Sequence, residues 1–406
     1  MPEIDGARLI GDLRRLAEFG RHGTGVHRLS LTDIDMESRR WLCGRLEDAG
    51  LEARIDGVGN VFGRSRAKGP VLLIGSHTDT QPTGGWLDGA MGVIYGLEIA
   101  RAFAGDPACA GLGIDVASWI DEEGNFPVGF LGSRAFVGEL EPATVAGARS
   151  RDGVALGDAL KAAGLAGAPL AKNQPGRYKG YLEAHVEQGG TLERDKKRIG
   201  VVTAIVGIRG GIAVFKGEQN HAGTTPMPLR KDAGVALIEF AQKANEAFKT
   251  VAGPHTVWTF GRIVLEPGSP SVISGHAELT YQYRDPENAV LDRFDAVVQQ
   301  LIAETNKGPC TVEITMPRRT EPAPMDARFQ DLIEAAAQQR VPGLAKRLHS
   351  AAGHDAMVLA RHMPSAMLFV PSIRGISHDV AEDTADADLV LGCQVAADAA
   401  AAILRA

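Results

Sequence analysis

Histidines and carboxylates recur at the ends of short apolar runs along this chain. The stretch GSHTDTQPTGGWLDGAMG (75–92) sets His77 at the end of the run VLLIGSH and Asp79 just past it, then Asp88 in a glycine-rich loop. Imidazole nitrogens and carboxylate oxygens are the donors that hold zinc and related divalent ions. A second apolar run, GIDVASW, leads into Asp121, Glu122 and Glu123. Neighbours on an extended segment point to opposite sides, so Glu122 and Glu123 are expected to do different jobs, one holding a metal while the other handles a proton. GYLEAHVEQGG (180–190) contributes His185, Glu187 and Gln188, GHDA (353–356) contributes His354, and SHDVAED (377–383) contributes His378. Taken singly, a histidine at a strand end is more often a hydrogen-bonded core or rim residue than a ligand. Convergence from separate strand ends favours a metal site, because carboxylates gathered without a cation repel one another.

Regular elements must deliver these groups to one place. Two amphipathic helical patterns open the chain at about 6–19 and 33–49, the second with Thr32 as N-cap. VLLIGSH (71–77) is continuously apolar and then turns polar, as a buried central strand does when its C-terminal end reaches a cleft. GIDVASWIDEE (113–123) repeats the design, with a helical pattern at about 89–104 between them, so an α/β layer with a largely parallel sheet is expected. From about residue 206 the order becomes strand, helix, two strands, helix, strand, the split βαββαβ plan of a small two-layer domain. The proline-rich stretch TEPAP (320–324) is expected to be a linker, after which a helix, the strand PSAMLFV (364–370) and an alanine-rich helix resume the first domain. The expected division is 1–205 and 322–406 for the larger domain, with 206–321 inserted.

Composition removes several function classes. The 406 residues are 44% hydrophobic and 23% charged, which excludes a disordered chain. Lys and Arg total 43 against 50 acids, with no basic block, so a nucleic-acid partner is not expected. Cys43, Cys109, Cys310 and Cys393 lie far apart without a CxxC pair, and the N-terminus is charged throughout. Neither a disulfide framework, a thiolate zinc site nor a signal peptide is expected, and the strongly apolar runs are short of a membrane span; a cytoplasmic protein without a membrane partner follows. GVGNVFG (57–63) fits a hairpin turn between short strands better than a phosphate loop. No GxSxG elbow or cysteine–histidine motif points to covalent catalysis. His22, His27, His255, His276, His349 and His362 have no motif context and are expected to be surface or packing residues.

The strings GSHTDTQPTGGWLDGAMGV, DEEGNF with GFLGSRAFVG, LEAHVEQG, NHAGTTPMPLRKDA, AGHDA and SHDVAED resemble, in order and over nearly the whole chain, the amidase, hydantoinase and carbamoylase branch of the dinuclear metallopeptidase and aminoacylase superfamily. The resemblance implies a zinc-aminopeptidase-like α/β catalytic domain with an inserted βαββαβ lid and dimerisation domain. It implies two divalent metal ions, zinc foremost with manganese, cobalt or nickel as alternatives, on His77, Asp88, Glu123, His185 and His378, with Asp88 bridging. Glu122 then matches the general base, and Asp79 a carboxylate that orients His77. His221, in NHAGTT, matches an oxyanion contact, and Gln188, Arg284 and His354 match substrate contacts. Histidine rather than aspartate at 185 points to the carbamoylases. The implied activity is hydrolysis of a linear C–N bond in a small carboxylate-bearing compound, such as an N-carbamoyl amino acid or allantoate, with an aminoacylase or exopeptidase as the alternative. The resemblance further implies a homodimer in which His221 reaches the partner's site. The sequence departs from the branch at Gln282 and Ser271, where aspartate and asparagine are usual, and at GNFPV, which lacks the usual arginine.

Overall fold

The run VLLIGSH forms the strand Val71–His77, and all seven of its residues are buried. It can be apolar throughout because it has strands on both sides and helices packed on it. In the computed structural model, which describes residues 1–406, the chain divides into two compact units, 1–203 with 324–406, and 204–323.

At the centre of the first unit, Ser365–Val370, Tyr178–Val186, Val71–His77 and Gly113–Trp119 lie side by side and parallel. Their C-terminal ends therefore share one edge, where His77 pairs with Trp119 and His185 with Phe369. Parallel pairing stops there. Val61–Arg64 and Glu52–Ile55 continue the sheet antiparallel on one side, and Ile199–Ile205 runs antiparallel to Ser365–Val370 on the other. The expectation of a largely parallel sheet thus holds only for the central strands; the tight GVGN turn, which can join only antiparallel neighbours, accounts for the pairing of Glu52–Ile55 with Val61–Arg64. TEPAP is not a free linker: Ala323–Pro324 forms a short edge strand of this sheet.

Helix formation follows the apolar spacing. Gly6–Glu18 buries Leu9, Leu13 and Leu16, and Asp5 caps it by accepting from the Arg8 N–H. Asp33–Asp48 starts at Thr32, whose hydroxyl oxygen accepts from the Asp35 N–H at 3.4 Å. Ala90–Gly105 is buried along nearly its whole length. The alanine-rich helix Asp386–Arg405 is, by length and composition, apolar enough to cross a membrane, contrary to the expectation that no segment is; 72% of its apolar 18-residue stretch is buried inside the fold. Its small side chains let it approach the sheet and Ala90–Gly105 closely, within one core with Leu72, Ile74 and Leu368.

The second unit has the sheet order Val257–Glu266, His276–Asp285, Gly207–Lys216, Thr311–Thr320, with every neighbouring pair antiparallel. Its helices, Ala233–Val251 and Asn288–Thr305, pack on one face. Along His276–Asp285 the alternation is plain: Ala277, Leu279, Tyr281 and Tyr283 enter the helix-covered core, while His276, Glu278, Thr280, Gln282 and Arg284 point the other way.

Candidate metal centre

Two groups of potential ligands meet at the C-terminal edge of the first unit's sheet, and Asp88 belongs to both: His77, Asp88 and His185 in one, Asp88, Glu123 and His378 in the other. Asp88 Oδ1 lies 3.1 Å from His185 Nε2 and 3.6 Å from His77 Nε2. Its Oδ2 lies 3.3 Å from His378 Nε2. Both strand-end imidazoles are oriented by main-chain carbonyls, His77 Nδ1 by Asp79 O and His185 Nδ1 by Val186 O, each at 2.9 Å. That leaves each Nε2 lone pair aimed at the centre. Gly89, at φ +64, passes so close to His77 that a Cβ would lie 2.4 Å from the ring, and its N–H donates to His185 Nε2. A side chain there would push the two histidines apart.

Glu122 and Glu123 separate by a different route from the one expected. The strand ends at Trp119, and Asp121 takes a left-handed φ of +59 while its carboxylate accepts from the Phe126 N–H. A turn, not strand alternation, carries the two glutamates. Glu122 Oε2 comes within 3.7 Å of His77 Nε2, and Glu123 Oε1 within 3.7 Å of His378 Nε2. Gln81 donates to Glu123 Oε2 at 2.6 Å, whereas Glu123 Oε1 is buried with no hydrogen-bond partner.

Asp79 works through its main chain rather than as expected. Its carbonyl holds His77, while its carboxylate stands 3.9 Å from that ring and accepts instead from the Glu123 N–H at 3.1 Å. Behind it lies the fully buried pair Asp35–Arg39; Arg39 Nη2 is 3.9 Å from Asp79 Oδ1, an ion-pair distance, and neither of those atoms has a hydrogen bond. Sequence reasoning passed over this pair, although 35, 39, 42 and 46 share one helical face and two of them are buried leucines. Glu382 was passed over as well. One of its oxygens accepts from the Asp88 N–H and the other from the Ser377 hydroxyl, tying the Asp88 loop to the residue before His378.

The remaining candidates fall in three places. Gln188 Nε2 lies 3.2 Å from Asp88 Oδ2 and 3.3 Å from His378 Nε2, inside the ligand cluster. His354, expected to touch substrate, is buried behind His185: the ring centroids are 4.6 Å apart and its Nε2 pairs with Ser350 Oγ. It packs behind His185, one of the potential ligands. His221 and Arg284 belong to the second unit. The N–H groups of Gly223 and Thr224 both donate to His221 Nδ1, so the ring proton resides on Nε2 of an exposed imidazole. Arg284 Nη2 donates to Gln282 Oε1 at 3.4 Å.

The electrostatics of the cluster call for cations. Burial, with repulsion from Glu123 added to it, raises Glu122 far above the carboxyl range, although His77 pulls the other way. Glu123 is pushed up to about 7 by burial and by Asp88. Asp88, despite its burial, is held well below its ordinary value by His185, His378 and His77. His378 rises to about 9, chiefly through its bond to Asp88. Carboxylates gathered this closely, with a buried oxygen lacking a partner, fit two divalent ions sharing Asp88, and the all-nitrogen and oxygen donor set suits zinc, manganese, cobalt or nickel.

Residues 73–402 match peptidase family M20/M25/M40. The N-carbamoyl-L-amino acid amidohydrolase of Geobacillus stearothermophilus is 34% identical over 97% of both chains. The allantoate amidohydrolase of Escherichia coli (strain K12) is 34% identical over 94% of each. Among solved structures, an amidase of the hydantoinase/carbamoylase family from Burkholderia phymatum superposes with a TM-score of 0.93 at 52% identity, covering 100% of this chain and 99% of its own.

Proposed function

The chain belongs to peptidase family M20/M25/M40, and on that premise we propose that this amidohydrolase is a cytoplasmic enzyme cleaving the ureido C–N bond of an N-carbamoyl amino acid or of allantoate. The observation that carries the reading is the sharing of Asp88 between two ligand groups with Glu122 beside one of them. Two divalent ions held by His77, Asp88, His185, Glu123 and His378, zinc foremost, would acidify a water and polarise the substrate carbonyl. Glu122 takes the proton of the attacking water and passes it to the leaving nitrogen. Its burial and raised proton affinity suit both steps. His221, with its proton on Nε2, donates to the developing oxyanion. Arg284 clamps the substrate carboxylate through two parallel hydrogen bonds.

The test is a substrate panel on protein loaded with zinc, manganese or cobalt: N-carbamoyl, N-formyl and N-acetyl amino acids, allantoate and dipeptides. Ureido compounds should be turned over fastest. Faster cleavage of N-acetyl amino acids or dipeptides would replace this reading with an aminoacylase or exopeptidase.

The reading includes a homodimer in which His221 serves the partner's site. Exposed Val257, Ile263 and Leu265 along the edge strand Val257–Glu266, with Val235 and Ile238 on a helix of the same unit, support an association surface there. Glu122→Gln and His221→Ala should each be nearly inactive. After subunit exchange their mixture should recover about a quarter of wild-type activity, since about half the dimers are hybrids with one intact site. No recovery, with exchange confirmed by mass spectrometry, would place His221 in its own chain's site.

A further inference from the structure

Arg28 is only 1% exposed, yet each hydrogen bond of its side chain is accepted by a main-chain carbonyl rather than by a carboxylate. Nη1 donates to the carbonyls of Leu16 and Phe19 at 2.8 and 2.7 Å, and Nε donates to the carbonyl of Thr78 at 2.7 Å. The first two acceptors lie at the end of the helix Gly6–Glu18, where carbonyls without helical partners gather partial negative charge. The third lies in the segment between His77 and Asp79. Burial pulls the pKa of Arg28 down to about 10, so it is still a cation at neutral pH. Only a guanidinium offers a rigid fork that bonds several carbonyls at once.

The chain reaches this place by turning back on itself. Gly20 takes φ +84, and a Cβ there would lie 2.4 Å from the His27 carbonyl oxygen. The hairpin that pairs Arg21–His22 with Gly25–Val26 then returns the chain to the helix end. Arg28 therefore meets residues 78–80 with its main chain as well as its side chain. Its N–H donates to Thr80 Oγ1 at 2.9 Å, and its carbonyl accepts from the Thr80 N–H at 3.0 Å.

These contacts bracket Asp79. The peptide group before it is held at the Thr78 carbonyl by Arg28 Nε, and the one after it is held at the Thr80 N–H by the Arg28 carbonyl. Peptide groups are planar, so anchoring both restrains the two backbone torsions of Asp79 between them. The second of these planes carries the Asp79 carbonyl, which His77 Nδ1 meets at 2.9 Å. The Cα between the planes carries the carboxylate that accepts from the Glu123 N–H at 3.1 Å. His77 belongs to one ligand group and Glu123 to the other, so Asp79 touches both.

We propose that Arg28 is a positioning residue of the metal centre: by holding the peptide groups on either side of Asp79 it sets the Asp79 carbonyl on His77 and the Asp79 carboxylate on Glu123. The proposal rests on the two-ion reading above and assigns Arg28 a part in both ligand groups. It also separates Arg28 from Arg39, which stands behind the Asp79 carboxylate alone.

The experiment compares Arg28→Met, Arg28→Lys and a control, Leu13→Ala, which opens the core under the same helix without touching residues 78–80. Competition with a chromophoric chelator should show zinc affinity falling about 10- to 100-fold in both ligand groups of Arg28→Met. Arg28→Lys keeps a cation but not the fork, and its loss should be smaller. Leu13→Ala should lower the melting temperature and leave both affinities in place. The visible absorption of the cobalt-loaded protein reports ligand geometry, and it should change in Arg28→Met but not in Leu13→Ala. Wild-type affinities and an unchanged cobalt spectrum in Arg28→Met overturn the proposal, as does an equal affinity loss in Leu13→Ala. If Arg28→Met does not fold, Arg28→Lys decides, and wild-type affinity there overturns the proposal. If the wild type binds no zinc, the two-ion reading fails, and hydrogen exchange of the His77 Nδ1–H resonance in the metal-free protein decides the role of Arg28 separately. That proton should exchange slowly in wild type and Leu13→Ala and faster in Arg28→Lys; equal rates in all three overturn the proposal.

Discussion

The two ligand groups that meet at Asp88 are built by different means. His77, Asp88 and His185 are all buried, and both imidazoles sit at ends of adjacent parallel strands with Nδ1 held by main-chain carbonyls. Glu123 and His378 come from turns. His378 has φ +55 and a side chain 51% exposed, and Glu123 is steadied by Gln81 and by Asp79. Sheet geometry fixes the first group, whereas side-chain props fix the second. A site set by strand ends is organised before an ion arrives; one set by props must keep several hydrogen bonds in place to hold its ion.

The comparison breaks most severely at the residue both groups share. Asp88→Ala should lose both ions and several orders of magnitude in turnover, because no other side chain spans the two groups. His378→Ala should lose the ion of the turn-built group and keep the other. Mass spectrometry of the purified, metal-loaded variants counts the ions. Two ions retained by Asp88→Ala, or none by His378→Ala, would show that the groups are not independent in the way their construction implies.

The same contrast explains what could be read in the sequence. A strand end announces itself where an apolar run turns polar, so the sequence alone places His77 and His185 at strand ends. Thr32 and the leucine spacing of the first two helices were equally legible. The directions of Glu122 and Glu123 were not, because they depend on the left-handed backbone of Asp121, and nothing at that residue type requires it. Asp79 was singled out for its carboxylate, yet its carbonyl makes the contact to His77; sequence names a side chain and is silent on which atoms of the residue will meet a neighbour. Glu382, Gln81 and the Asp35–Arg39 pair act by reaching other segments, so local pattern could not reveal them. The flanking antiparallel strands likewise pair with segments far away in sequence, Val61–Arg64 with Gly113–Trp119 and Ile199–Ile205 with Ser365–Val370, so apolar content could not reveal their direction.

A smaller effect is expected from the props. Arg39→Met removes the cation behind Asp79, whose carboxylate holds the Glu123 N–H. Zinc affinity of the turn-built group should fall about 10- to 100-fold, the usual consequence of losing such support, with the strand-end group less affected. Competition with a chromophoric chelator measures both sites. Because the substitution also leaves Asp35 buried and unpaired, the double variant Asp35→Leu/Arg39→Met is needed to separate loss of folding from loss of support. The affinity loss should persist in the double variant. Full recovery there would mean that Arg39 matters only as the partner of Asp35.

The smallest effect, and the sharpest on charge, is the pH dependence of the metal-free protein. Glu123 has a folded-state pKa of about 7 against an ordinary carboxyl value near 4.5, so its ionisation between those limits favours unfolding. His378 is raised to about 9, so the stability that its protonated form contributes is complete below about 6.5 and is lost as pH rises through 9. His77 and His185 are raised as well and act in the same sense. Asp88 is lowered, and its contribution changes only in acid, outside this window. His354, lowered by burial and by His185, opposes them below its ordinary value of 6.5, but the raised carboxylate and the three raised imidazoles act together through the rest of the window: chelated protein should melt at a lower temperature at pH 8.5 than at pH 5.5. Bound ions remove the repulsion, so zinc should raise the melting temperature more at pH 8.5. Titration of unrelated surface groups would shift wild type and Glu123→Gln alike, whereas the cluster's share should shrink in Glu123→Gln. An equal or higher melting temperature at pH 8.5 for the chelated wild type, or an unchanged difference in Glu123→Gln, would mean that the carboxylates are relieved by something other than the ions proposed for the two groups.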